Sequence, residues 1–364
     1  MEVDYLVVGS GLTGAVVARL LTDAKRDVLV VDRRPHVGGN VHDHAHPSGI
    51  RVHTYGPHYF RTSSEKIWDF ATRFGEFYMY EAAVLSDIDG DLVQWPIAGS
   101  YIRQTVSKHW VPEFCGTPSN FEEAALKLMP RIVYERFVKE YNLKQWGVPC
   151  TELSAGLCSR FDVRHDDEPR LTPTALHQGI PTMGYGAWMQ SMLAGVPTIL
   201  NYDFLHRADE IKVKKHMVFT GPIDEFFGYD LGRLAYRGQK RQHTYFADKR
   251  FIQPVGQVNN PLMRGGPHIR TLEWLHMMHP EFRHRMPGTI LTTETPFSPT
   301  DPSQYEYPFP SQINAALYEK YRKRASSIDK VTIAGRLGEY RYYDMDQAIG
   351  RALVIAERLL SGGR

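Results

Sequence analysis

A mixed α/β fold is predicted: a nucleotide-binding domain wound about a parallel sheet, interrupted by a helical bundle and an antiparallel sheet. Three stretches predict it. Tyr5-Leu-Val-Val8 runs into Gly9-Ser-Gly11-Leu-Thr-Gly14, a helical period, and a second apolar run that ends at Asp32. Residues 99–145 then read as helical, and residues 224–300 alternate short strand-like runs with Gly and Pro, as an antiparallel sheet would.

The opening stretch is a βαβ unit. Gly9 makes the tight turn, Gly11 lets a pyrophosphate approach the backbone, and Gly14 lets helix and strand pack. The helix start, from Leu12 and Thr13, offers unpaired N–H groups to an anion. Leu12, Val16, Val17, Leu20 and Leu21 share the buried face, and Asp32 ends the second strand where it can hold a ribose hydroxyl. Strand, turn, helix, strand and acid in that order define a Rossmann-like domain. After Arg33, the pair Gly38-Gly39 and Asn40 could bring backbone against a longer cofactor. This spacing resembles the FAD-binding stretch of the glutathione-reductase and amine-oxidase class, which favours FAD over NAD.

The composition sets limits. The 364 residues, 42% hydrophobic and 23% charged, suit about two or three packed units. A net charge of +2 with dispersed Lys and Arg gives no nucleic-acid footprint, and no run approaches the roughly 18 apolar residues of a membrane span. The chain enters its first strand directly, so no signal peptide is expected and a cytoplasmic location is. Cys115, Cys150 and Cys158 are odd in number and lack metal spacing. No metal is expected, and His42-Asp-His44-Ala-His46 reads as a solvated turn.

Further along, Tyr55-Gly56-Pro57-His58 is a turn. Ser119 to Glu122 reads as a capping box ahead of Phe121, Ala124, Ala125, Leu128 and Met129, which repeat on one face. Pro130 breaks that helix or starts the next. Phe137 and Tyr141, four residues apart, share a face that packs in a core or closes on a planar ring. Trp146-Gly147 ends the helix, and the Gly, Pro and Ser residues through Gly156 suggest a mobile segment. His216 to Thr220 returns to the nucleotide-binding sheet, Lys330 to Ala334 adds a last strand, and Met345 to Leu360 is an amphipathic helix. The division expected is 1–75 with 180–225 and 328–364 for FAD, 98–155 for the helical bundle, and 76–97 with 156–179 and 226–327 for the substrate sheet.

Spaced, unusual stretches then accumulate: Tyr55-Gly-Pro-His58, Lys144-Gln-Trp-Gly147, Gln178-Gly-Ile-Pro181, Thr220-Gly-Pro-Ile-Asp224, Ala235-Tyr-Arg237, and Gly335 through Tyr342, Tyr343 and Asp344. In this order they resemble the UDP-galactopyranose mutases nearly end to end. The resemblance implies an isomerase that contracts UDP-galactopyranose to UDP-galactofuranose without net redox change, through a covalent adduct of sugar C1 with N5 of reduced FAD. It also implies a nucleotide-sugar substrate and an external reductant such as NAD(P)H, and the sequence leaves open whether the chain forms a homodimer.

By position, the resemblance makes Arg164 and Arg270, the latter beside Glu273, the diphosphate-binding arginines, and His58 a histidine near the flavin. Phe137, Tyr141, Trp146, Tyr342 and Asp344 become substrate contacts, with His177 and Phe309 standing where tyrosines are usual. Gly9, Gly11, Leu12, Thr13, Gly14, Asp32, Arg33, Gly39, Asn40, Thr220, Arg336 and Met345, again with His58, would hold the cofactor. The departures at His177 and Phe309 imply that one phenol donor to the diphosphate is missing, for which Tyr305 or Tyr307 could substitute, and Arg61 stands where a second histidine is common. They leave open a mutase for another sugar nucleotide, a dTDP-linked galactose or 6-deoxyhexose. The opening fingerprint alone also permits an amine-oxidase-type FAD oxidoreductase.

Overall fold

A parallel sheet of five strands carries the nucleotide-binding half. In the computed structural model, which describes residues 1–107, 109–161 and 163–362, β1 (Glu2–Val8) and β2 (Val28–Val31) pair in parallel from Tyr5 opposite Val28 to Val8 opposite Val31. Helix α1 (Leu12–Asp23) makes the crossover between them. All four residues of β2 are buried, as both-sided cover of a parallel sheet demands. The sheet order is Thr198–Ile199, β2, β1, Lys212–Phe219, Val331–Ile333, so remote parts of the chain meet side by side. The terminal helix Met345–Leu360 lies on α1 and buries Ile349, Ala352 and Ile355 in the same core as Val16 and Val17.

The second sheet has seven strands, ordered Tyr307–Pro308, Tyr236–Phe246, Thr289–Phe297, Arg270–Glu273, Gln257–Asn259, Val84–Ile88, Asp91–Trp95. It is not purely antiparallel. Gln257–Asn259 runs parallel to Val84–Ile88, which the long intervening connection through the helical unit permits. The strand His177–Pro181 also departs from expectation. It pairs with Phe60–Thr62 and Phe77–Tyr78 in a separate small sheet beside the nucleotide-binding half.

The helical unit packs on the larger sheet, its Phe121, Tyr134 and Phe137 sharing one core with Ile88. Its first long helix, Phe121–Leu128, is capped one residue later than predicted: the Asn120 side chain accepts from Glu123 N at 3.0 Å, while Ser119 N donates to the Glu123 carboxylate at 2.7 Å. Asn is as good an N-cap as Ser, and here it wins. Pro130 caps the next helix, which passes from α turns at Arg131–Val133 through a π segment, Tyr134–Lys139, back to α turns at Glu140–Trp146. Gly147, at φ +76°, ends it. Among the described residues no helix is long and apolar enough to cross a membrane.

Candidate active site

The glycine turn builds a groove that side chains would fill. Gly9 sits at φ +105°, and a Cβ there would stand 2.0 Å from Thr220 Oγ1. That hydroxyl donates to Val8 O at 2.8 Å, tying Lys212–Phe219 to β1 at the groove floor. Gly39, at φ +53°, approaches so closely that its Cβ would lie 2.8 Å from Gly11 Cα. Gly11 caps α1 without any side-chain hydrogen bond, so the helix start faces the groove open to an anion. A Cβ on Gly14 would come 2.0 Å from Gly9 O.

Asp32 closes one end. Its Oδ2 accepts from Ser10 N at 2.6 Å and Ser10 Oγ at 2.7 Å, and its Oδ1 from Arg34 N at 2.9 Å. The carboxylate is therefore fixed, with room for about one further donor. Arg33 grips Glu225 through two 2.9 Å bonds, and Arg34 reaches Asn40 Oδ1 at 2.8 Å. Every residue expected to hold the cofactor lines this groove except Gly14, which only packs helix on strand. A cradle of bare backbone, an open helix start and a fixed acid fit an extended dinucleotide.

At its far end the groove opens, at His58, Arg336 and Met345, into a wider cleft between the two sheets and the helical unit. His58 is half-buried, and its Nδ1 donates to Gly56 O at 2.8 Å while its backbone N–H donates to His53 Nδ1 at 3.0 Å. Burial first, then the neighbouring His53 and Arg336, pushes the His58 imidazole down to about 3. It is neutral at pH 7, with Nε2 left as the acceptor.

Five guanidiniums line the cleft, those of Arg61, Arg160, Arg270, Arg336 and Arg341, against one carboxylate, Asp344. Arg61 pairs with Asp344 at 3.0 Å. Arg160 lies 3.7 Å over the Tyr342 ring, and Arg336 lies 4.8 Å from the same ring. Arg270 is held by Glu294 rather than by Glu273, because residues three apart on a strand face opposite ways. Glu273 instead accepts from Gln253 N and Thr289 Oγ1, both at 2.7 Å.

Beside the arginines is an aromatic recess walled by Trp95, Phe137, Tyr141, Trp146, Phe161 and Tyr307. Phe137 stacks on Trp95 at 6.4 Å, and Trp146 meets Phe309 edge-on at 5.8 Å. Tyr342 stacks on Tyr307 at 6.1 Å. Tyr307 thus stands in the cleft, whereas Tyr305 is stacked on Tyr236 at 4.1 Å inside the core.

Two expected residues lie elsewhere. Arg164 is buried behind the cleft wall, where its Nη2 donates to the carbonyls of Arg170 and Leu171 at 3.1 and 3.4 Å. Its backbone is drawn there by pairing with Ile97, and Arg160, at the end of the 3-10 turn Ala155–Arg160, holds the cleft position instead. His177 stacks flat on Trp68 at 4.8 Å and meets Glu65 at 3.0 Å. Strand alternation turns it to the helix Glu65–Thr72 and away from the cleft. Sequence reasoning also passed over Trp95 and Arg341, and their only signal was proximity in the fold. In the histidine turn, His42 and His44 each place Nδ1 within 3.0 Å of Thr54 Oγ1. Among the described residues no cluster of His, Cys, Asp and Glu is arranged to hold a metal.

A dinucleotide groove that opens onto a cation-lined cleft defines an enzyme that works a cofactor against an anionic ligand. The chain belongs to the UDP-galactopyranose mutase family. That family's sequence profile matches residues 136–342, and an NAD(P)-binding Rossmann-like profile matches residues 7–74. A probable UDP-galactopyranose mutase of Klebsiella pneumoniae is 32% identical over 374 residues, covering 98% of this chain and 95% of the relative. A dTDP-fucopyranose mutase of Escherichia coli is 30% identical over 382 residues, covering 99% of each. Among solved structures, a reduced UDP-galactopyranose mutase superposes with a TM-score of 0.73 at 15% identity, covering 100% of this chain and 95% of the other. A putrescine oxidase redesigned in its cofactor binding superposes at 0.62 and 10%, covering 100% of both. The chain is thus a mutase, and so an isomerase, on a fold shared with oxidases.

Proposed function

We propose that the protein interconverts the pyranose and furanose forms of UDP-galactose, with reduced FAD held in the groove from Asp32 to Arg336. The observation that carries this reading is the excess of guanidiniums in a cleft continuous with the groove. When bound, a reduced flavin supplies an electron-rich nitrogen nucleophile for the anomeric carbon, and an external reductant such as NAD(P)H keeps it reduced.

The chain's own residues do the rest. Arg160 and Arg270 grip the diphosphate and offset the charge that grows as the C1–O bond breaks. Tyr307 and Tyr342 offer phenol donors to the same oxygens. Phe137 and Trp95 give the pyrimidine a stacking surface in the recess, and Trp146 with Phe309 shields the sugar from water. Neutral His58 presents an acceptor at the junction of groove and cleft, where it can orient a donor without competing for the diphosphate.

The test is to incubate dithionite-reduced, flavin-loaded protein with UDP-galactofuranose and follow UDP-galactopyranose by chromatography. Absence of conversion would remove this substrate. A dTDP-linked sugar is the second reading, favoured by the full-length likeness to the dTDP-fucopyranose mutase and by the turning of His177 away from the cleft. Turnover of UDP and dTDP sugars compared side by side decides between them, and a strong preference for UDP would discard the second.

A further inference from the structure

Behind the cleft wall four charges form a chain. Glu294 lies on the strand Thr289–Phe297, directly opposite Arg241 on one neighbouring strand and Arg270 on the other. Its carboxylate is fully buried and shared: Oε1 accepts from Arg241 Nε at 2.7 Å, and Oε2 takes Arg270 Nε. The remaining face of Arg241 forks onto Glu306, with Nη1 and Nη2 each 2.8 Å from a carboxylate oxygen. Glu306 immediately precedes Tyr307 of the cleft, and its carbonyl accepts from Arg336 at 3.2 Å.

The turn before His58 seals the chain from above. A Cβ on Gly56 would lie 2.8 Å from Glu294 Oε1 and 3.1 Å from Arg241 Nη2. Burial alone would raise the Glu294 carboxyl, yet Arg270 and Arg241 hold it below the usual carboxylate range. With both arginines present, two positive and two negative charges cancel. Without Arg241, the remaining Arg270, Glu294 and Glu306 would together carry one net negative charge.

We propose that Arg241 is a positioning residue for the diphosphate subsite, aiming Arg270 through the shared Glu294 and cancelling the charge of Glu306. The proposal rests on the nucleotide-sugar reading above. Arg241 touches no substrate. Its part is to keep the Nη groups of Arg270 directed at the cleft and to keep two carboxylates from repelling an anion there.

The experiment is calorimetric titration of UDP into flavin-loaded wild type, Arg241→Met, Glu306→Gln and the double variant. Arg241→Met should weaken UDP by about tenfold or more with an unchanged flavin absorption spectrum. Adding Glu306→Gln should recover most of that loss, because the buried charge again sums to zero. Glu306→Gln alone should bind UDP as tightly as wild type or tighter, and it keeps the test decisive if Arg241→Met does not fold. A merely structural role would not be rescued by removing a second partner. Equal UDP affinity in wild type and Arg241→Met, or a loss in Glu306→Gln matching that in Arg241→Met, would overturn the proposal. Wild type that binds neither UDP nor dTDP would instead remove the underlying reading.

Discussion

Arg160 and Arg164 stand four residues apart, yet one faces a cleft and the other faces backbone. Arg160 rests on Tyr342, its guanidinium bare toward the cleft, while Arg164 is spent on the carbonyls of Arg170 and Leu171. A charge-assisted hydrogen bond contributes roughly 1.5–3 kcal/mol, so Arg160→Ala should weaken nucleoside diphosphate binding by about 10–100-fold. Arg164→Ala should leave that affinity within about twofold and lower the melting temperature, because two partly buried carbonyls lose a donor. Titration calorimetry with parallel thermal melts checks both, and the reverse pattern would return Arg164 to the diphosphate. His53 and His58 carry a second consequence at this scale. Burial pushes both imidazoles down to about 3, whereas in the unfolded chain they titrate near 6.5. Protons therefore bind the unfolded chain first as pH falls. The stability this pair contributes is complete above about pH 6.5 and declines progressively as pH drops toward their folded values. Melts at pH 7.5, 6 and 5 should show that slope, and His53→Gln should flatten it. An unchanged slope would mean that His53 takes up its proton in the folded state.

At the scale of elements, the glycine turn separates two roles that one fingerprint merges. Gly14 is a packing glycine: a methyl there meets Gly9 O at 2.0 Å, so Gly14→Ala should cost roughly 1–3 kcal/mol as an overpacked site does. Gly11 is different, because its backbone is extended, at φ −67° and ψ 176°, and a methyl would only come 3.7 Å from Gly39 Cα. Gly11→Ala should leave the melting temperature of flavin-free protein unchanged while abolishing the yellow colour on purification. If it instead retained flavin, the pyrophosphate would not pass over this residue. The βαβ unit was legible in sequence because its strand, turn and helix signals are all local. The helical unit was less so. Ser119 and Asn120 are both competent caps, and only tertiary placement selects the second. The π segment Tyr134–Lys139 leaves no mark in the periodicity, yet it widens the turn that carries Phe137 into the recess. Such segments gather at functional sites.

The whole molecule explains what stayed hidden. Which arginine reaches the cleft and which face His177 shows depend on the pairing of segments far apart in sequence, such as Val163 with Ile97 and His177 with Thr62. No local period encodes such pairings. The cofactor groove is assembled the same way, from residues near Gly9, Asp32, Gly39, Thr220 and Arg336, with Pro302 and Ser303 reaching over from the connection between two strands of the larger sheet. A ligand that binds only the folded chain stabilises it by about 2.7 kcal/mol at a hundredfold excess over its dissociation constant. For a chain of 364 residues that corresponds to a rise in melting temperature of roughly 3–6 °C. Because the groove lies across the C-terminal ends of three adjacent strands of the parallel sheet, FAD loading should slow amide exchange in β1, Lys212–Phe219 and Val331–Ile333 together. The helix Phe121–Leu128, which contributes nothing to the groove, should exchange at the same rate with or without FAD. Exchange compared by mass spectrometry between flavin-stripped and reconstituted protein tests this. Protection confined to the glycine turn would mean that the cofactor engages one segment only, and the groove would then not bind FAD along its length.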